Sequence, residues 1–325
     1  MRRDLARTFL YDMALAREFE QRAAEQYTEG KIAGFLHLYP GEEAVAVGSL
    51  RAADPGDYVV TTYREHVHAL VRGVSPEAVM AELFGRTGGC SRGYGGSMHL
   101  FDAERRFLGG YAIVGETFPV AAGAAYWLRL NGDPDVVLCY FGDGAVNQGT
   151  FHETLNMVAL WDLPVVFVCE NNHYQIGTEI HRHSAIPQVH KRACGYGVEA
   201  ERVDGMDVQA VYDATRHALK HVRDGNGPYL LECETYRYRG HSMADPGAYR
   251  SALEVGELRA RDPLLGFRKR AIDQGWLDEG DAERLEGRAR DAVDAAVTFA
   301  DASPPPTDLY ADVHAEPIHL YRGRP

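Results

Sequence analysis

The sequence predicts an α/β fold, a doubly wound and mostly parallel sheet with helices on both faces, and three observations carry that expectation. The runs VVLCYF at 136–141 and VVFVC at 165–169 are almost wholly apolar, which suits strands covered on both faces of a parallel sheet. Between them Phe151, Leu155, Val158 and Ala159 share one helical face, so strand, helix and strand make a βαβ unit. Further β-rich runs, YVVTT at 58–62, EAERV at 199–203 and PYLLEC at 228–233, alternate with helical segments. Such units in series build a doubly wound sheet.

Each element follows in chain order. Residues 1–33 read as an N-terminal helical segment, with Phe9, Met13, Leu15 and Phe19 near helical spacing. Residues 34–255 hold the alternating strands and helices of the α/β domain. Within it a helix starts near Asp207, a fitting N-cap, and turns Val208, Val211, Thr215, Ala218 and Val222 inward. Residues 256–325 read as a charged helical tail that the prolines of DASPPPTDLY end, followed by an extended arm on the surface. The three segments are expected to form one compact domain.

Composition removes several classes of function. With 45% hydrophobic and 25% charged residues the chain is of ordinary globular type, neither disordered nor fibrous. Its 34 Lys+Arg against 47 Asp+Glu leave a net charge of −13, and an acidic surface repels phosphate backbones, so no nucleic-acid partner is expected. No apolar run is long enough to span a membrane, and MRRDLARTFLYDMALAREFE lacks the apolar centre of a signal peptide. Cys90, Cys139, Cys169, Cys194 and Cys233 form no C-x-x-C; free thiols in a reducing, cytoplasmic setting are the expectation. The fingerprints G-x-G-x-x-G, G-x-x-x-x-G-K-[ST] and H-E-x-x-H are missing, which removes sequence support for a nicotinamide dehydrogenase, a P-loop nucleotidase and a zincin.

Chemistry gathers at two strand ends. Gly142, Asp143 and Gly144 follow the first buried run, and Glu170, Asn171 and Asn172 follow the second. In a right-handed crossover both are carboxyl ends, where open α/β sheets bind ligands. A carboxylate and an amide carbonyl are hard oxygen donors that suit Mg²⁺, which fills its remaining positions with water and substrate phosphate. Gly142, Gly144 and Gly149 would let the backbone approach a diphosphate.

That spaced pair is similar to the thiamine diphosphate motif. More closely, the chain resembles the alpha subunits of the first component of 2-oxo acid dehydrogenase complexes, pyruvate dehydrogenase in particular. The resemblance rests on GFLHLYPGEEAVAVG at 34–48, TTYREH at 61–66 and AELFGRTGGCSRGYGGSMHLF at 81–101. It continues through YFGDGAVNQGTFHETLNMVALWDLPVVFVCENN at 140–172, RVDGMDV at 202–208 and TYRYRGHSMADP at 235–246. It implies a thiamine diphosphate-binding fold with an N-terminal helix and a C-terminal helical tail, and thiamine diphosphate and Mg²⁺ as cofactors. Carried over by position, it makes Asp143, Asn172 and the backbone carbonyl of Tyr174 the metal ligands. It places Tyr63, Arg64, Val114, Gly142, Gly144, Ala145, Arg237 and His241 at the cofactor, and His37, His66 and His241 as catalytic histidines. His37 would line the substrate channel beside Phe35, while an ordinary packing role is the other reading of His66.

The implied activity is oxidative decarboxylation of pyruvate, a small 2-oxo acid, with reductive acylation of a lipoyl group on the acyltransferase component. In the family the glutamate that activates the cofactor sits on a beta subunit. No motif for it occurs here, so the chain is expected to be half of an active site in an assembly of two alpha and two beta subunits. The alternatives are the alpha subunit of an acetoin or branched-chain 2-oxo acid dehydrogenase, or a non-catalytic alpha-like assembly subunit. Tyr63 stands where acetoin relatives tend to carry His, and branched-chain relatives usually differ at His37. Tyr111 and Ala112 stand where the family commonly has Asn-Gly, Val67 replaces a usual glycine, and Glu116 with Thr117 is atypical.

Other features are given plainer readings. The six glycines among residues 85–96, with Arg86 and Arg92, offer either a phosphate nest or a loop that orders when the cofactor binds. His181 and His183 have ligand-like spacing without a companion cluster, so no metal site is expected there. His217 and His221 read as a solvated helix face. Ser242 matches the serine that kinases modify in mitochondrial relatives of the family, and kinase control is not expected without a transit-like leader.

Overall fold

A computed structural model describes residues 1–308. Its strands are β1 (Tyr58–Thr62), β2 (Phe107–Tyr111), β3 (Val137–Gly142), β4 (Val165–Asn171), β5 (Tyr174–Gln175), β6 (Thr178–Glu179), β7 (Glu199–Asp204) and β8 (Tyr229–Glu234). Six of them form one sheet in the order β2-β1-β3-β4-β8-β7, with every neighbouring pair parallel. β5 and β6 form a separate antiparallel hairpin. Five of the six sheet strands lie where the apolar runs predict them, within two residues at each end. β2 has no such signature, because Gly109 and Gly110 occupy its middle and glycine weakens a strand's sequence signal.

Side chains of the central strands alternate between two apolar layers. Along β3, Leu138 and Tyr140 enter one layer and Val137, Cys139 and Phe141 the other. Along β4, Val166 and Val168 oppose Val165, Phe167 and Cys169. A period of two with apolar residues in both phases is what burial on both faces requires. Helices Arg3–Thr28, Glu43–Ala52, Val208–Arg223, Pro263–Asp273 and Glu279–Ala302 close the first layer. Helices Thr117–Asn131 and Gly149–Leu160 close the second.

The N-terminal helix is shorter than the segment read from sequence, and it packs along the C-terminal helix. Phe9 meets Tyr212 at 5.5 Å and Phe267 at 5.8 Å, edge to face. Asp207 caps the helix Val208–Arg223, accepting from the Gln209 and Ala210 N–H groups at 2.9 and 3.3 Å. The last helix ends at Ala302, just before the prolines; the arm expected beyond them lies outside the described residues.

Phe118 is fully buried at the centre of the second layer, with ring centroids 4.9 Å from Phe141 and 5.3 Å from Phe151. Phe118→Ala is expected to destabilise the fold by about 3–5 kcal/mol, read as a lower denaturant midpoint. An unchanged midpoint would contradict this packing.

Candidate functional site

The carboxyl ends of β1, β2, β3, β4 and β8 open onto one cavity of about 480 Å³. It lies where the sheet winds outward in both directions, since β1 is flanked by β2 on one side and β3 on the other. That reversal leaves a crevice between diverging connections. Tyr63 and Arg64 leave β1, Val114 follows β2, Gly142, Asp143, Gly144 and Ala145 finish β3, and Asn172 and Tyr174 follow β4. Arg237 and His241 follow β8, His37 comes from the segment before helix Glu43–Ala52, and all of these residues line the cavity.

Asp143 opens a short 3₁₀ turn, Asp143–Asn147, and is 1% exposed, yet its Oδ2 has no hydrogen-bond partner. The Asn172 amide is oriented at both ends: its Oδ1 accepts from the Tyr174 N–H at 3.2 Å, and its Nδ2 donates to Glu42 Oε1 at 3.1 Å. At Gly144 a Cβ would come within 2.7 Å of the Gln175 side chain. Among the described residues no group of three or more His, Cys, Asp or Glu is placed to hold a metal ion. A cation here would therefore rest on one carboxylate, one amide oxygen and ligand oxygens, the sparse oxygen set that a hard cation with bound phosphate accepts.

Two arginines also line the cavity. Arg64 donates to the Leu38 carbonyl at 2.5 Å and the His241 carbonyl at 2.8 Å, and Glu42 Oε2 stands off at 3.9 Å. Arg237 is 1% exposed and donates to the carbonyls of Arg239 and Ile176 and to the Tyr249 hydroxyl. These oxygens hold the guanidiniums in place without neutralising them. His37, Tyr63 and His241 form an aromatic cluster with centroids 4.4–5.6 Å apart. Burial, then the neighbouring Arg64, lowers His37 to about 2. Burial, Arg64 and Arg237 lower His241 to about 3. Both rings are thus uncharged near neutrality, and both Nδ1 atoms are buried without a partner.

Glu42 and Glu170 also line the cavity, both buried. Burial raises the Glu42 carboxyl, Arg64 draws it down and Glu170 raises it again. Neither is among the site residues expected from the sequence, although Glu170 adjoins Asn171 and Asn172 at the strand end. The atypical Tyr111, Ala112 and Thr117 line the cavity as well, while Val67 is buried inside the helix His66–Arg72, away from it.

His66 stands apart from the other expected histidines. It is fully buried and is not among the residues lining the cavity. Its Nδ1 lies 3.1 Å from both Glu20 carboxylate oxygens and its Nε2 2.8 Å from Ser97 Oγ. Both ring nitrogens are thus engaged inside the core, the packing role that is the other reading of His66. It pins the turn Gly96–Met98, whose Met98 does line the cavity.

The glycine-rich loop is not a phosphate nest. The carboxylate of the fully buried Glu82 accepts from the N–H groups of Ser91, Gly93, Gly95 and Gly96 at 2.7–3.1 Å. The donors that would cradle an anion already hold one belonging to the chain. Gly89 shows why glycine is needed there, since a Cβ would lie 2.2 Å from Glu82 Oε2. Of the paired histidines, His181 is exposed beside Glu179, and His183 lies against Asp143.

The model of the family described as "Dehydrogenase E1 component" matches residues 11–308, most of the chain. The chain belongs to this family. Relatives named pyruvate dehydrogenase E1 component subunit alpha are similar along nearly its full length. One from Rhizobium meliloti is 47% identical over 305 residues, covering 93% of this chain and 88% of the relative. A chloroplastic alpha-3 subunit from Arabidopsis thaliana is 46% identical over 314 residues, covering 94% and 73%. One from Rickettsia felis is 43% identical over 305 residues, covering 93% and 94%. The residues expected at the cofactor line the crevice of this chain's sheet. No helix among the described residues is long and apolar enough to cross a membrane, and all five cysteines are free.

Two expected outcomes follow from this site. An imidazole held far below its ordinary value of about 6.5 binds fewer protons in the native state than in the unfolded one, so His37 and His241 contribute stability that is complete above about pH 6.5. That contribution is lost as pH falls toward their native values of about 2 and about 3. Denaturant midpoints at about pH 7 and about pH 5 should therefore differ less in a His37→Asn/His241→Asn variant than in the parent protein. Separately, Glu82→Ala strands four loop N–H groups, and tryptic cleavage at Arg86 and Arg92 should accelerate. Unaltered cleavage would mean that Glu82 does not hold the loop.

Proposed function

We propose that this E1 chain is the alpha half of a thiamine diphosphate- and Mg²⁺-dependent pyruvate dehydrogenase, working with a beta subunit in an assembly of two alpha and two beta chains. The observation that carries this reading is the pair of buried guanidiniums, Arg64 and Arg237, sharing a cavity with the buried carboxylate of Asp143. Two fixed cations and a hard oxygen donor fit a diphosphate with a divalent metal.

Asp143 and Asn172 would hold the metal with the Tyr174 carbonyl, and Arg64, Arg237, Tyr63 and His241 the phosphates. Gly142, Gly144 and Ala145 keep the β3 end slim enough for backbone to approach them, and Val114 lies along the same wall. Thiamine diphosphate, when bound, supplies the electron sink that decarboxylation of a 2-oxo acid needs. His37 and His241, uncharged near neutrality and with unpartnered Nδ1 atoms, are suited to hydrogen-bond a substrate oxygen or a group of the cofactor. Pyruvate is favoured by the names of the relatives, and a lipoyl group on the acyltransferase component would take up the acyl unit.

An exposed apolar rim supports a partner chain. Phe35, Ile113, Val114 and Ile176 are 61%, 68%, 43% and 59% exposed around the cavity, the kind of patch that a subunit interface covers. Free thiols support a cytoplasmic setting.

The test is co-expression with a beta subunit and assay of artificial electron-acceptor reduction by pyruvate, a branched-chain 2-oxo acid and acetoin. Turnover with pyruvate that vanishes without the partner is the expected outcome, and full turnover by the isolated chain would overturn the shared site. In the assembly, Asp143→Ala should weaken Mg²⁺-dependent cofactor binding by roughly 100-fold or more.

A further inference from the structure

Asp143 Oδ2 and His183 Nε2 are both buried without a hydrogen-bond partner, and they lie 3.4 Å apart. His183 ends the one-turn helix Ile180–His183, which follows the β5–β6 hairpin and returns over the end of β3. Its side chain is 8% exposed. Two buried polar atoms facing each other raise the question of which carries the proton.

The other side of the ring answers it. Arg192 Nη1 donates to Asn147 Oδ1 at 3.0 Å, which decides which end of that amide is oxygen. The Asn147 Nδ2 group then donates to His183 Nδ1 at 3.2 Å and to the His183 carbonyl at 3.2 Å. The Ser184 hydroxyl lies 3.0 Å from the same Nδ1. A nitrogen that accepts from an amide N–H carries no proton of its own, so the ring proton sits on Nε2, the nitrogen 3.4 Å from Asp143 Oδ2. A protonated nitrogen donates a hydrogen bond and does not ligate a cation.

We propose that His183 is a positioning residue for the metal site: its Nε2–H donates to Asp143 Oδ2 and turns the other carboxylate oxygen toward the cation. The inference rests on the reading of Asp143 as a metal ligand. Outer hydrogen bonds to ligating carboxylates and imidazoles orient them, and their loss typically weakens metal affinity by about 10–100-fold. The arrangement also gives His183 a function that its spacing to His181 does not reveal.

The test is a titration of the alpha–beta assembly with Mg²⁺, and in parallel with Mn²⁺, at fixed thiamine diphosphate, read by tryptophan fluorescence and calorimetry. His183→Ala should weaken Mg²⁺ binding by about 10–100-fold. His183→Gln, whose side-chain amide is also a donor, should recover most of it, and the ratio of Mn²⁺ to Mg²⁺ affinity should stay constant. Wild-type binding in His183→Ala, with binding abolished in Asp143→Ala, would overturn the role of His183 and leave the metal site intact. Wild-type binding in Asp143→Ala would overturn the metal-site reading itself. Equal losses in the Ala and Gln variants would overturn the donor role. A changed Mn²⁺/Mg²⁺ ratio in His183→Ala would make the imidazole a ligand and overturn the tautomer.

Discussion

Burial of β3 and β4 on both faces governs where this protein can place charge. A charged side chain along either strand would lie in an apolar layer, where an unpaired ion is strongly disfavoured. The chain's polar chemistry is therefore displaced to the points where the strands end. Because the neighbouring strands are parallel, those ends fall at one edge of the sheet. Asp143, Asn172, Arg64 and Arg237 come from four different strand ends, yet they meet in one cavity. Their convergence follows from strand direction and from the reversal of winding at β1.

The balance of charge within that cavity is uneven by design of the contacts. Arg64 and Arg237 are held mainly by carbonyl and hydroxyl oxygens, which fix their direction while leaving their charge in place. Glu42 lies beyond hydrogen-bond reach of Arg64 and is raised by burial. The two imidazoles are kept uncharged by the same burial and the same arginines. The result is a wall whose cations remain available to an anion while its histidines stay proton-neutral. One pair of guanidiniums thus shapes both recognition and proton chemistry.

Much of this was legible in the sequence, and the gaps have physical causes. Apolar runs reveal β3 and β4 because two-sided burial leaves no polar phase. G-D-G and E-N-N are legible because they sit at the ends of those runs. β2 is hidden because its glycines erase the apolar period. His66 reads like a site residue because it adjoins Tyr63 and Arg64, but the helix that begins with it turns its ring into the core beside Glu20. Glu82 and the glycine loop are separated in sequence, so their pairing cannot be inferred from either segment alone. The neighbour of His183 is hidden for the converse reason: its spacing to His181 is local, whereas Asp143 arrives from the end of another strand.

The Glu82 carboxylate has a consequence for how the chain folds. The crossover from β1 to β2 runs from Thr62 to Phe107, and closing so long a connection before the two strands pair is entropically unfavourable. Glu82 gathers residues only 9 to 14 positions downstream, a contact that can form early and locally. Once it has formed, the glycines no longer sample their wide conformational range, and the stretch leading to β2 is effectively shortened. An internal anion in this loop therefore lowers the contact order of the edge strand, the one sheet strand whose own sequence offers least to guide it into place.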